Sequence, residues 1–171
     1  MNATGTTQSA QETMAAITQA VELGRTGSAQ AAREWLLGIW AAIGPQGDPL
    51  HRCTLAHYLA DLYDDAAQAL CWDVRALDAA ECLTNERLRQ HHATLDIRGF
   101  YPSLHLNLAD NYRRLGSFDA AQQEIDAARD GLDALGDDGY GVMIRTAVDE
   151  VAEAIRSRAT ARRPSAPSGR G

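Results

Sequence analysis

Among the 171 residues there is no lysine, so all sixteen basic residues are arginine. No apolar run approaches the ~20 residues that cross a bilayer, and no basic region followed by an apolar one stands at the start. We therefore expect neither a transmembrane helix nor a signal peptide. The three cysteines form no CxxC pair, and their odd number favours free thiols in a reducing cytoplasm. The lack of lysine, with abundant alanine, is typical of a high-GC bacterial genome.

The motifs that usually accompany ion binding or catalysis are also missing. Five histidines are present, but none forms an HxxxH pair or a cluster with cysteines, so we predict no metal ion and no other cofactor. No glycine-rich loop follows a strand in the way that would cradle a phosphate. No cysteine has an evident activating base beyond the histidines near Cys53. These absences favour a binding protein over an enzyme.

Charge is unevenly distributed along the chain. The net charge is −7, yet residues 156–171 contain five arginines and no acid. Residues 1–155 hold the other eleven arginines and all 23 acids, a net charge of −12, so the fold itself is not expected to bind nucleic acid. We predict a disordered N-terminus at 1–10, one helical domain at 11–157 and a disordered basic tail at 158–171.

The clearest pattern lies in residues 101–135 and predicts two helices joined by a tight turn. Pro102 suits a first helical turn, and apolar residues then recur at three- and four-residue steps. Gly116 can adopt the left-handed conformation that ends a helix. Ser117 can cap the next helix, which carries a second apolar stripe.

These residues resemble the tetratricopeptide repeat (TPR), a pair of antiparallel helices that stacks on further copies. The family pattern is a leucine, a small residue and an aromatic, followed by a turn glycine, a second aromatic and two alanines. At the family's spacing, the matching residues are Leu108, Ala109, Tyr112, Gly116, Phe118, Ala121 and Ala128. The chain departs from the pattern at His105, where the family often has tryptophan, and in lacking a proline near Leu135.

Fainter copies of the pattern lie upstream. LADLY at 59–63 echoes LADNY at 108–112, and DAAQ at 65–68 echoes DAAQ at 119–122. The first pair of matches is 49 residues apart and the second pair is 54 residues apart. The five-residue difference falls in the turn between the two matches, so the earlier turn is shorter. A weaker copy covers residues 12–43. Repetition of one helical pair along a chain indicates a stacked array.

Two further segments complete the predicted fold. Residues 84–95 resemble a capped helix and lengthen the spacing between repeats. A last helix at about 140–157 is placed to cover the exposed face of the last repeat. We therefore predict an all-α fold of about eight helices, stacked as antiparallel pairs in a short TPR-like right-handed superhelix with a C-terminal capping helix. The motifs HYLADLYDD and CWDVRALDAA also resemble those of small actinobacterial TPR proteins.

The resemblance also implies where a ligand would bind. In the TPR family the first helix of each pair lines a concave groove, to which stacked helices contribute corresponding positions. Carried over residue by residue, the groove positions here are Thr54, His57, Tyr58, Asp61, Asp64, Ser103, Leu106, Asn107, Asp110, Arg113 and Arg114. Secondary candidates are Tyr101, His92 and His105.

Two functions remain open from the sequence. The first is a cytoplasmic adaptor whose groove binds a peptide segment of a partner protein, with arginines facing acidic groups and aspartates facing basic ones. The second is a small-molecule binder or an enzyme of a bacterial biosynthetic pathway, with His57, Asp61, Ser103, His105 and Arg113 around a closed pocket. A solvated helix face with local ion pairs would explain the same residues without a ligand.

Overall fold

The computed structural model describes residues 3–84 and 97–164, with side chains from residue 9 onward. Over these residues the chain is helical and contains no strand, which confirms the predicted all-α class. Two short 3-10 helices, Ile97–Gly99 and Leu132–Ala134, lie between α-helices. The α-helices are α1 (Ala3–Arg25), α2 (Ala29–Ile43), α3 (Pro49–Asp61), α4 (Ala66–Glu81), α5 (Tyr101–Arg114), α6 (Phe118–Asp130) and α7 (Gly139–Arg156).

Neighbouring helices pack in pairs: α1 with α2, α3 with α4, and α5 with α6. The last helix, α7, packs against both α5 and α6. The apolar stripes form two cores. Helices α1, α2, α3 and α4 form the first core, and α5, α6 and α7 form the second. Helix α5 joins them, since Leu104 belongs to the first core and Ala109 to the second. It also packs against α4, so one face of α5 lies at the junction between the two halves.

Small residues fill the crossing of α5 and α6. Ala109 and Ala121 are both fully buried in the second core, where a larger side chain would force the helices apart. Leu106, which the family pattern assigned to the groove, is 4% exposed and belongs to this core as well. On a helix, the directions of neighbouring side chains differ by about 100°, and side chains two residues apart point in nearly opposite directions. The face of α5 toward α4 therefore carries Asn107 and Asn111 instead.

The boundaries of the fold differ from the prediction at both ends. Helix α1 begins at Ala3, within the predicted disordered stretch 1–10, because the polar residues there continue the helix without a break. The tail predicted to be disordered at 158–171 is described as far as residue 164, and these residues contact the helices. The extra helix predicted at 84–95 lies, from residue 85 onward, outside the described residues.

Side-chain caps account for some helix starts but not for others. Asp65 Oδ1 accepts a hydrogen bond from Gln68 N at 2.8 Å at the start of α4 and so caps this helix. Ser28 and Ser117 precede α2 and α6, but neither side chain makes a capping hydrogen bond. These two helices begin within tight hairpins, so packing against the partner helix supplies the stability that a cap would add.

The turn between α5 and α6 requires glycine at position 116. Gly116 has φ +78°, and the amide groups of Gly116 and Ser117 donate to carbonyls of the last turn of α5, at Arg113 and Tyr112. We expect Gly116→Ala to lower the free energy of unfolding by about 1 kcal/mol, because a Cβ strains this conformation. Gly38→Ala, in the exposed interior of α2 with open space around it, should raise it by up to about 1 kcal/mol. Urea denaturation of both variants tests the opposite signs, and two changes of equal sign would contradict the assignment.

Candidate functional site

A group of buried and half-buried polar side chains lies where α3, α4 and α5 meet. Asp73 of α4 is 1% exposed, and Asn111 Nδ2 donates to its Oδ2 at 2.8 Å. Asn107 Nδ2 lies 3.4 Å from Asp73 Oδ1 and 3.5 Å from Asp61 Oδ1, so one amide bridges two carboxylates. His57 Nδ1 is 3.8 Å from Asp73 Oδ1, an ion-pair distance that is too long for a hydrogen bond. We call these five residues the carboxylate cluster.

Burial and neighbouring charges shift the pKa of three members of the carboxylate cluster. Burial alone would lower the pKa of His57, but contact with Asp73 and the charges of Asp61 and Asp73 outweigh it and raise this pKa above 6.5. Burial raises the pKa of Asp61 to about 6, against the opposing charge of His57. Burial likewise raises the pKa of Asp73. The cluster can therefore take up and release protons between mildly acidic and neutral pH.

A second polar centre is built around Arg113, which is 1% exposed in the last turn of α5. Its Nε and Nη2 donate to Asp110 Oδ1, one turn earlier on the same helix, at 3.1 and 2.7 Å. Its Nη1 donates to the backbone carbonyls of Ala159 and Ala161 at 2.6 and 2.8 Å. The guanidinium group thus joins α5 to the chain that follows α7. This set of hydrogen bonds explains how a charged side chain is buried at this point.

The two arginines that follow Ala161 also contact the helices. Arg162 Nη1 pairs with Asp64 Oδ1, in the turn between α3 and α4. Arg163 Nε lies 3.3 Å from Asp110 Oδ1, and its Nη1 lies 2.7 Å from Glu150 Oε2 on α7. The Arg163 side chain is only 12% exposed. Acids from three separate elements therefore hold two adjacent arginines.

These contacts define one surface and its occupant. We call residues 158–164 the tail segment, none of which lies in a helix. We call the surface beneath it, formed by the α3–α4 turn, α5 and α7, the tail groove. Its polar members are Asp64, Asp110, Arg113 and Glu150. At the start of the segment, the Arg158 guanidinium lies 4.4 Å from the centre of the Phe118 ring, which is a cation–π distance.

A small cavity separates the tail groove from the carboxylate cluster. Its volume is about 40 Å³, and its wall includes Asp61, Asp73, Asp110, Arg114 and Arg162. One water molecule needs roughly 10–15 Å³ of such space, so the cavity is large enough for ordered water. The cluster therefore lies directly beneath the tail groove, without a space between them that could hold a larger ligand.

Most of the predicted groove residues come together at this place. Three belong to the carboxylate cluster and three to the tail groove. Arg114 links the two, since it donates to the backbone carbonyl of Asp64 and, at 3.4 Å, to Asn111 Oδ1. The six others are His57, Asp61, Asn107, Asp64, Asp110 and Arg113.

Two secondary candidates, His105 and Tyr101, lie on another side of α5. His105 Nδ1 is 2.7 Å from Glu124 Oε2 on α6, and the Tyr101 ring stacks on the histidine with ring centres 6.0 Å apart. Asn107, two residues after His105, faces α4. The hypothesis that His105 and His57 lie around one closed pocket therefore needs correction, because His105 contacts α6 while Asn107, two residues later, faces the cluster.

The remaining predicted residues are outside both polar centres. Ser103 Oγ donates to the backbone carbonyl three residues earlier, at 3.0 Å. The Tyr58 ring lies at the edge of the carboxylate cluster, with its centre 6.0 Å from that of the His57 ring. Thr54 is half-buried on α3. His92 lies outside the described residues.

The sequence analysis missed several residues that complete the two centres. Asp73 falls within the buried stripe of α4, beside Ala69 and Ala76, and an acid in an apolar stripe is the signal that could have found it. The other missed residues are Asn111, Glu150, Arg162 and Arg163. For Arg162 and Arg163 the only available signal was the basic tail following an acidic body.

The described side chains do not form a metal-binding centre. Within residues 9–84 and 97–164, no group of three His, Cys, Asp or Glu side chains is arranged to hold a metal ion. None of the helices described is long and apolar enough to cross a bilayer. The chemistry that the site can perform with its own groups is binding of charged groups and exchange of protons.

No protein-family model, curated protein or solved structure matches this chain. The kind of ligand is therefore inferred from the side chains of the site and from the tail segment that they contact.

Proposed function

We propose that the protein is a TPR-type interaction module that binds a peptide segment of a partner protein in the tail groove. The observation that carries this proposal is the tail segment itself, a peptide held in the groove by backbone and side-chain contacts. Peptide-binding surfaces commonly combine hydrogen bonds to the backbone with pockets or charges for particular side chains. A segment of another protein with a similar sequence would make the same contacts with the residues of the tail groove.

The backbone contacts support a peptide ligand in particular. Arg113 donates to two carbonyls that lie two residues apart, at Ala159 and Ala161. Both carbonyls bond to the same nitrogen, so the chain bends around the guanidinium group, and residue 161 is a bend. Asp110 fixes the guanidinium group before any ligand arrives, so little side-chain freedom is lost on binding. These contacts accept any sequence, and selection between sequences is left to the surrounding acids.

The alternative of a small-molecule pocket has less support. Pockets for small ligands usually measure about 300–1,000 Å³, far more than the cavity of about 40 Å³ beside the groove. The five residues suggested for such a pocket are distributed over different surfaces, since His105 contacts α6 and Ser103 bonds to its own helix. A peptide groove explains the same histidine, aspartates and arginines with fewer assumptions.

Loosening the tail segment should open the groove to a peptide added in solution. The full-length chain with Arg162→Ala and Arg163→Ala should bind the fluorescent peptide SRATARRP, which copies residues 157–164. We expect its dissociation constant to be about tenfold or more lower than that of the unchanged chain. The native tail competes at the roughly millimolar effective concentration of a short linker, and the variant removes that competition. Fluorescence anisotropy titrations give both constants.

A matched pair of acids controls this experiment. Asp64→Asn, added to the tail variant, should weaken peptide binding, because the first arginine of the peptide's Arg-Arg pair then lacks a carboxylate to pair with. Asp78→Asn, an exposed acid on α4, should leave it unchanged. Circular dichroism checks that all variants stay helical. If a helical tail variant does not bind the peptide, the proposed function is wrong.

A further inference from the structure

We propose that the tail groove selects partner segments carrying two adjacent arginines, which its separate acids bind one by one. This inference rests on the proposed function and adds the chemistry of the ligand. The ligand is a non-helical protein segment with an Arg-Arg pair, preceded by residues whose backbone carbonyls reach Arg113. The chain's own tail segment, with Arg162 and Arg163, is then an internal occupant that such a partner displaces.

The positions of the acids explain why the arginines are adjacent. Arg162 reaches Asp64 in the α3–α4 turn, whereas the next residue, Arg163, reaches Asp110 on α5 and Glu150 on α7. The two walls of the groove each supply a carboxylate to one side of the segment. A single arginine, or two separated by one residue, would leave one wall without a partner.

The geometry around Arg163 favours arginine over lysine. Two different nitrogens of one guanidinium group contact two carboxylates, Nε with Asp110 at 3.3 Å and Nη1 with Glu150 at 2.7 Å. Lysine has a single charged nitrogen and cannot copy this planar fork. The side chain is also largely buried, so a misplaced charge would lose water without regaining equivalent hydrogen bonds.

The charge of the whole molecule acts in the same direction. Residues 1–155 carry a net charge of −12, and a surface of this sign attracts basic segments over distances of about a Debye length. The tail segment is attached to α7 through Ser157 and is therefore always close to the groove. A partner segment has to compete with the tail segment at this high local concentration. The unchanged chain should therefore bind only an Arg-Arg segment that is abundant or has a high affinity.

The test compares three peptides on one receptor, the full-length chain with Arg162→Ala and Arg163→Ala. The peptides are SRATARRP, SRATAKKP and SRATAQQP. We expect the lysine peptide to bind about 5- to 10-fold more weakly than the arginine peptide, and the glutamine peptide on the order of 100-fold more weakly. If the lysine or glutamine peptide binds as tightly as the arginine peptide, this inference fails while the proposed function stands. If none of the three binds, both fail.

A variant of the receptor separates recognition of arginine from general attraction by charge. Glu150→Gln should reduce the preference for the arginine peptide over the lysine peptide to about 2-fold or less, because one branch of the fork loses its carboxylate. Asp149→Asn changes the net charge equally from the neighbouring position on α7 and should preserve the preference. Equal effects of the two variants would show a charge effect only and overturn the inference.

A second copy of this chain is the other occupant to consider, since its tail has the same sequence. Light scattering of the unchanged full-length chain measures the mass in solution. We expect a monomer, because the short connection after α7 keeps the tail on its own groove. A dimer that becomes a monomer in the Arg162→Ala/Arg163→Ala variant would assign the groove to a second copy and overturn the proposal of a separate partner.

Discussion

Arg113→Met should lower the free energy of unfolding by about 3–5 kcal/mol, the range observed when one partner of a buried ion pair is removed. The variant keeps most of the side-chain volume, so the loss is electrostatic. It removes the guanidinium group that donates twice to the buried Asp110 and leaves the carbonyls of Ala159 and Ala161 without this donor. Guanidinium denaturation followed by circular dichroism measures the change.

The chain contains a matched control for this variant. Asp126 and Arg129 on α6 have the same i,i+3 spacing as Asp110 and Arg113, but both side chains are largely exposed and their charged atoms lie 3.7 Å apart. Because exposed pairs contribute little, we expect Arg129→Met to cost less than about 1 kcal/mol. Similar losses in the two variants would mean that the burial of Arg113 and its contacts with the tail segment do not stabilise the fold.

The helical architecture could be predicted because its determinants are local in the sequence. The apolar residues of α5 and α6 recur at helical spacing over a dozen residues. Gly116 marks the end of α5, Asp65 marks the start of α4, and each lies within one turn of the helix that it marks. Each of these signals can be recognised without knowing what lies far away in the chain. The TPR resemblance rests on the same short-range spacing and remains a prediction.

The tail segment could not be placed because its contacts are distant in sequence. Arg162 pairs with Asp64, 98 residues earlier, and Arg113 bonds to a carbonyl 46 residues later. The segment has no apolar periodicity, and a run of arginine, alanine and proline is typical of an unstructured tail. The same cause hid the contacts of Arg113, which was expected to face acidic groups of a ligand and in the structure bonds to Asp110 and to two backbone carbonyls of the tail segment.

The candidate site was predicted in part for a related reason. The family spacing pointed to His57, Asp61 and Asn107 because they lie on α3 and α5, the helices that the resemblance assigns to the groove. Asp73 lies on α4, where the family pattern expects core residues only. The set of residues implied by the resemblance therefore did not include the buried acid to which the two amides donate.

The carboxylate cluster makes stability depend on pH in a direction that the pKa shifts determine. Between pH 3.8 and about 6, the native state keeps a proton on Asp61 that the unfolded chain has released. Stability therefore falls as pH rises through this window, by about 1.4 kcal/mol per pH unit for one group. The raised pKa of His57 acts in the same direction, since its contribution is present below pH 6.5 and is lost above its native pKa.

Asp61→Asn should remove the Asp61 part of this dependence and raise the free energy of unfolding at pH 7.5 by about 2–3 kcal/mol. The neutral amide keeps an oxygen that can accept from Asn107 Nδ2, but places no charge beside Asp73. Urea denaturation at pH values between 4 and 8 should show a flatter profile for the variant than for the unchanged chain. Asp78→Asn, on the exposed side of α4, should stay within about 0.5 kcal/mol throughout. A loss of stability at pH 7.5, or an unchanged slope between pH 4 and 6, would mean that Asp61 is ionised at no cost in the folded protein.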